Sequence, residues 1–181
     1  MKKQIKILSI FAIIMLLSVS CAKDNPSNPS NNNNNNNDNI GDTTNWKDRA
    51  NYKLLQQIWQ GNSGIFQYKD AENVYQGSLI LYGGVYGGNM KYTMAIEAIA
   101  WISETEGIMY GKYTFNMTDF TLTGKYYAIA FKNLTESSVD LCEASLANKK
   151  YAETLEDAEK SFTIASGAFG TYNKYTVYNK Q

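Results

Sequence analysis

The sequence predicts a mainly β domain, an antiparallel barrel or sandwich, and three observations carry that expectation. All 14 tyrosines, all three tryptophans and six of the seven phenylalanines fall in residues 46–181. Aromatic residues make up about 17% of that stretch, a load that favours strands. Both prolines, Pro26 and Pro29, precede it, so no proline interrupts its extended runs. Turn-like clusters then divide it at regular intervals, as in sandwiches and barrels.

In chain order, a helix opens the domain. Asn45 is placed to cap it, Asp48 suits its N-terminal turn, and Gly61 lies beyond its end. Trp46, Ala50, Leu54 and Ile58 recur every four residues as an apolar stripe. Eight extended segments are expected near 59–68, 77–86, 91–102, 107–116, 120–132, 138–144, 161–167 and 171–179. Between them stand breaks such as Lys69 to Asn73, Gly87-Gly88-Asn89, Ser103 to Gly107 and Met117-Thr118-Asp119. Tyr92 to Ile102 is apolar in both phases except at Thr93 and Glu97, which predicts a strand covered on both faces. In Phe120 to Phe131 both phases again carry large residues, and Gly124 is read as a bulge or barrel corner. A second, short helix is expected at Leu155–Ser161. Thr154 and Asp157 form its capping signal, and Leu155, Ala158 and Phe162 form its apolar face.

Several of these segments resemble small bacterial lipoproteins of the spirochaete or Bacteroidetes type with a lipocalin-like barrel. The resemblance rests on Ile58-Trp59-Gln60-Gly61, on Gly111 to Phe115, on Phe120 to Gly124, on Thr154 to Thr163 and on Gly170 to Thr176. Gln57 stands where the lipocalin signature has a glycine before the tryptophan. The resemblance implies an antiparallel barrel of about eight strands, with one N-terminal helix and one short helix before the last strands. It also implies a module that binds a small hydrophobic ligand.

The N-terminus reads as an export signal followed by a tether. Lys2, Lys3 and Lys6 precede the apolar run Ile7 to Val19, which is too short to span a bilayer. Leu16 to Cys21 resembles the bacterial lipobox, with Ser18 in the usual leucine place and Leu17 beside it. That resemblance implies cleavage after residue 20, lipidation of Cys21 and a membrane partner through the acyl (palmitate-type) anchor. The alternative is an ordinary signal cut after Ala22. By resemblance to enterobacterial sorting signals, in which an aspartate after the cysteine retains the protein at the inner membrane, Ala22 implies the cell envelope and its outer membrane. Residues 21–45 hold the cysteine and a tract with seven consecutive asparagines. Such composition cannot bury enough surface to order itself, so a flexible linker is expected before a single domain at 46–181.

Composition also excludes chemistry. The chain has no histidine and one arginine, Arg49, which removes Ser-His-Asp and Cys-His catalysis and histidine-held metals. Cys142, in Val139-Asp140-Leu141-Cys142, reads as a small buried strand residue, with no histidine to activate it. The acidic residues at Glu104 and Glu106, and from Glu153 to Glu159, lack calcium-loop spacing. The glycine pairs in Gly83-Gly84-Val85-Tyr86-Gly87-Gly88 lack the lysine and helix of a phosphate loop. No basic stripe marks a nucleic-acid partner. The expectation is therefore a non-enzyme without catalytic residues, cofactor or metal.

The aromatic residues remain as the functional clue. They can line an apolar cavity, fill a solid core or form an outer contact surface. For a cavity, strand phase nominates Trp101, Tyr110, Tyr113 and Tyr126, with Ala128 and Ala130 as the small residues that leave room. The alternative is a structural or surface-interaction lipoprotein with a solid barrel.

Overall fold

In the computed structural model, which describes residues 43–68 and 79–179, eight strands run antiparallel and each pairs with the next. They are β1 (Ile58–Gly61), β2 (Gly64–Tyr68), β3 (Leu79–Gly83), β4 (Asn89–Ser103), β5 (Glu106–Asn116), β6 (Tyr126–Lys132), β7 (Ser138–Glu143) and β8 (Asn173–Val177). β8 pairs back onto β1 through Trp59↔Val177 and Gln60↔Thr176, so the sheet closes into a barrel with no free edge. Two short helices accompany it, α1 (Tyr52–Leu55) and α2 (Leu155–Ser161). This is the mainly β, closed eight-stranded architecture expected, in keeping with a lipocalin-like barrel. Among the described residues no helix is long and apolar enough to cross a membrane. Cys21, the signal at 1–20 and the tether as far as Asp42 lie outside the described residues, as does the turn expected at Lys69 to Asn73.

Alternation along the strands separates two clusters. The lumen receives a residue from every strand, among them Trp59, Phe66, Leu81, Met94, Trp101, Met109, Phe131, Leu141 and Tyr175. The second cluster draws only on β4, β5 and β6. Ala98, Ala100, Ile108, Tyr110, Ala128 and Ala130 face outward there and meet Ala158 of α2 and Phe162 just beyond it. The both-phase apolar pattern of Tyr92 to Ile102 thus has its cause: Tyr92, Met94 and Ile96 face the lumen before a bulge at Ile96/Ala98, Ile99 and Trp101 face it after the bulge, and Ala98 and Ala100 join the outer cluster.

One end of the barrel is plugged. The Trp59 indole donates to the Leu55 carbonyl at 3.1 Å, and the Trp101 indole donates to the Trp46 carbonyl at 3.1 Å. Tyr52 and Leu55 are buried in the lumen cluster. These demands break the long helix that the stripe from Trp46 to Ile58 predicts. The chain forms a 3-10 turn at Trp46–Asp48, then the four-residue α1, and Ile58 already pairs with Gln67. Asn45 makes no side-chain cap and sits at φ 50°. Tertiary pairing overrides local periodicity here.

Three extended segments also differ from expectation. Residues 59–68 form a hairpin, β1 turning at Asn62-Ser63 into β2, with Gly61 opposite Gly64. Residues 120–122 form a 3-10 turn in which Asp119 accepts from the Thr121 backbone N–H at 3.0 Å. Gly124 lies in the loop after it at φ 85°, and the bulges fall instead in β4 and β5. Residues 162–167 form a turn held by reciprocal Thr163–Ser166 bonds, not a strand. One added strand and one lost strand leave the count at eight. The short second helix is found at Leu155–Ser161, where Thr154 Oγ1 accepts from the Asp157 N–H at 3.1 Å.

Candidate functional site

The end of the barrel opposite α1 carries the β1–β2, β3–β4 and β5–β6 connections and the long segment containing α2. There the lumen is not filled. A cavity of about 520 Å³ opens between β3, β4, β5, β7 and the 3-10 turn, within the range of small-molecule sites. It is bordered by Leu81, Tyr92, Tyr113, Asn116, Leu122 and Glu143, with Lys91, Thr118, Asp119 and Lys150 at its rim.

Strand phase explains how these residues converge. On β7, Val139 and Leu141 point into the lumen, so Glu143 does too, and it lies opposite inward-facing Ile129. On β4 Tyr92 shares the inward face with Met94. On β5 Tyr113 shares it with Met109, and on β6 Tyr127 shares it with Ile129. The Tyr92 hydroxyl donates to Glu143 Oε1 at 2.7 Å. Tyr92 meets Tyr113 edge-on at 5.5 Å, and Tyr113 stacks on Tyr127 at 5.3 Å. The Tyr127 hydroxyl donates to the Ala144 carbonyl at 2.6 Å.

The electrostatics follow from this geometry. Burial pushes the Tyr92 phenol well above the usual tyrosine range, and the Glu143 charge adds to it. Burial raises Tyr113 and Tyr127 as well, again with Glu143 contributing. Burial also raises Tyr175, and Glu143 adds to that shift. One carboxylate therefore acts on four phenols that stay neutral and able to donate.

The residues nominated from sequence divide between two places. Tyr113 borders the cavity. Trp101 faces the lumen at the plugged end, edge-on to Phe131 at 5.1 Å. Tyr110, Ala128 and Ala130 lie on the outer face beneath α2, with the Tyr110 hydroxyl donating to the Phe162 carbonyl at 2.9 Å. Tyr126 is half-buried on that same side and donates to Glu97 at 2.9 Å. Placing all six around one lumen is thus corrected: Tyr110 and Tyr113 are three apart on one strand and point to opposite faces. The alanines make room for a helix, not for the lumen. Tyr92, Tyr127 and Glu143 were missed, although Glu143 follows Val139 and Leu141 in strict alternation.

Among the described residues no group of three or more His, Cys, Asp or Glu side chains is placed to hold a metal. Cys142 is buried on β7 with its thiol raised by burial, as its strand setting suggests. No known protein family matches the chain, and no curated protein or solved structure matches it either.

Proposed function

We propose that this chain is a lipid-anchored, non-enzymatic protein of the bacterial cell envelope whose barrel holds a small ligand at its open end. The observation that carries the reading is the 520 Å³ cavity at the mouth, where aromatic walls converge on one inward carboxylate. Apolar surface with a few oriented polar groups is the usual composition of a small-molecule site. Residues 1–45 support the anchor through the signal pattern, Cys21 and the asparagine-rich tether. Ala22 supports delivery to the outer membrane. Trp46, near the start of the described residues, lies at the plugged end of the barrel, away from the mouth.

The test is native mass spectrometry of the full chain released from a non-ionic detergent. Leu122 lines the cavity from the 3-10 turn and is only half-buried, so Leu122→Trp fills space without disturbing a strand. An added mass on the native protein that disappears in Leu122→Trp identifies a ligand in the mouth, while lipid carried on the anchor stays in both. Identical masses in both proteins, across incubations with fatty acids, amines and haem, would overturn the ligand reading.

A second reading has its own observation. Val85, Tyr86, Met117 and Phe120 are exposed apolar side chains on the β3–β4 and β5–β6 loops. With the plugged half of the lumen solid, these tips suit a structural or surface-interaction protein. Such a protein would show no cavity ligand in the same experiment.

A further inference from the structure

We propose that the mouth cavity selects a small organic cation, an amine with an apolar or aromatic body, whose positive head sits against Glu143 among the tyrosine rings. This rests on the reading of the mouth as a ligand site and specifies its chemistry. Among the described strand residues, Glu143 is the charged side chain whose phase points into the lumen; Lys91, Glu106, Lys112, Lys132, Asp140 and Lys174 fall in the outward phase of their strands, and Glu97, at the β4 bulge, pairs with Lys112 and Tyr126 on the outer side. Tyr92 satisfies Oε1. No protein donor among the described residues reaches Oε2, so the carboxylate retains an open acceptor beside the cavity.

Each ligand class meets that arrangement differently. An anion is repelled by Glu143, the inward charge among the described strand residues. A wholly apolar molecule strips water from a carboxylate that has one protein donor among the described residues, which is unfavourable. A cation supplies the missing donor and also gains from the electron-rich aromatic faces around it. Leu81 and Leu122 take the apolar body. The two rim lysines do not reverse this order. Lys91, Lys150 and Glu143 are all exposed to salt screening, but only Glu143 is hydrogen-bonded to the buried Tyr92 hydroxyl and acts on the lumen phenols. The Lys91 stem lies along Gly83, and Asp119, held ionised mainly by its Thr121 hydrogen bonds, gains a further small contribution from Lys150.

Calorimetry on the full chain in non-ionic detergent, with matched micelle blanks, tests the charge of the head at constant body. The probes are tryptamine, its neutral isostere tryptophol, and indole-3-acetate. Tryptamine is expected to bind about tenfold more tightly than tryptophol, with indole-3-acetate weakest. Glu143→Gln is expected to bring tryptamine level with tryptophol, and Glu143→Asp to keep the preference. Should Glu143→Gln fail to fold by circular dichroism, the ranking on the native protein decides. Tryptophol or indole-3-acetate binding as tightly as tryptamine would overturn the cation and leave the ligand site standing. Silence from all three probes would overturn the cation too, and the retained mass lost in Leu122→Trp then tells whether the site itself survives.

Discussion

The Tyr92 hydroxyl on β4 reaches the Glu143 carboxylate on β7 at 2.7 Å, joining two strands that do not pair with each other. The bond crosses the lumen rather than running along the sheet. It ties opposite walls together at the level where packed side chains give way to the cavity. Tyr92→Phe removes the donor and keeps the ring against Tyr113. A hydrogen bond to a charged group contributes about 1.5–3 kcal/mol. Glu143 is exposed and regains water, so a loss near the lower end, about 1–1.5 kcal/mol, is expected. Urea denaturation of the single variant measures it. A loss within error of zero would mean that the bond ties nothing.

Ala130 is fully buried against β7 and the α2 side of the barrel, opposite Cys142. Ala130→Trp therefore overpacks the outer cluster and leaves the lumen untouched. Inserting bulk into a packed interior costs about 1–3 kcal/mol. The melting temperature should fall while ligand retention at the mouth persists in the protein that remains folded. If uptake is abolished with stability unchanged, Ala130 faces a ligand cavity after all.

That residue also shows what sequence reading captures. The eight-stranded β architecture, the second helix and its Thr154 cap were legible because each rests on local signals: aromatic load, turn residues and a capping pair. The face on which Ala130 and Tyr110 lie was not. When both phases of a strand are apolar, alternation cannot say which phase is the lumen, and α2, remote in sequence, decides it. Glu143 was legible in phase but not in role, because its meaning depends on Tyr92, 51 residues away. Asn62-Ser63 split one expected strand into two because the turn between Gly61 and Gly64 lies inside an otherwise extended run.

Gly107 sits where three strands crowd together, between Trp101 on β4 and Phe131 on β6. A Cβ there would lie 2.7 Å from the Ala100 carbonyl oxygen and 2.8 Å from the Phe131 ring. The ring is itself held edge-on by Trp101. Neither neighbour yields cheaply, since one is backbone and the other is clamped. Gly107→Ala should destabilise the barrel by about 1–3 kcal/mol, read from thermal or urea unfolding. Gly170→Ala, with nothing within 4 Å of the added carbon, is the control and should leave stability nearly unchanged.

The buried phenols set an alkaline limit on the fold. Tyr92, Tyr110, Tyr113 and Tyr127 are each raised first by burial, and Tyr172 is pushed up to about 12. In the unfolded chain these groups ionise near 10. The folded state therefore holds more protons than the unfolded state once pH passes that value, and stability must fall as pH rises. Below pH of about 9 the contribution is complete, so the melting temperature should be flat with respect to these groups. From about pH 10 upward it should decline steeply. Ultraviolet tyrosinate absorbance should then rise in two stages. Exposed tyrosines ionise first with the fold intact, and the buried set follows only as near-ultraviolet circular dichroism collapses. A single wave in the ordinary tyrosine range, with the dichroism preserved, would show that the phenols around Glu143 are open to solvent.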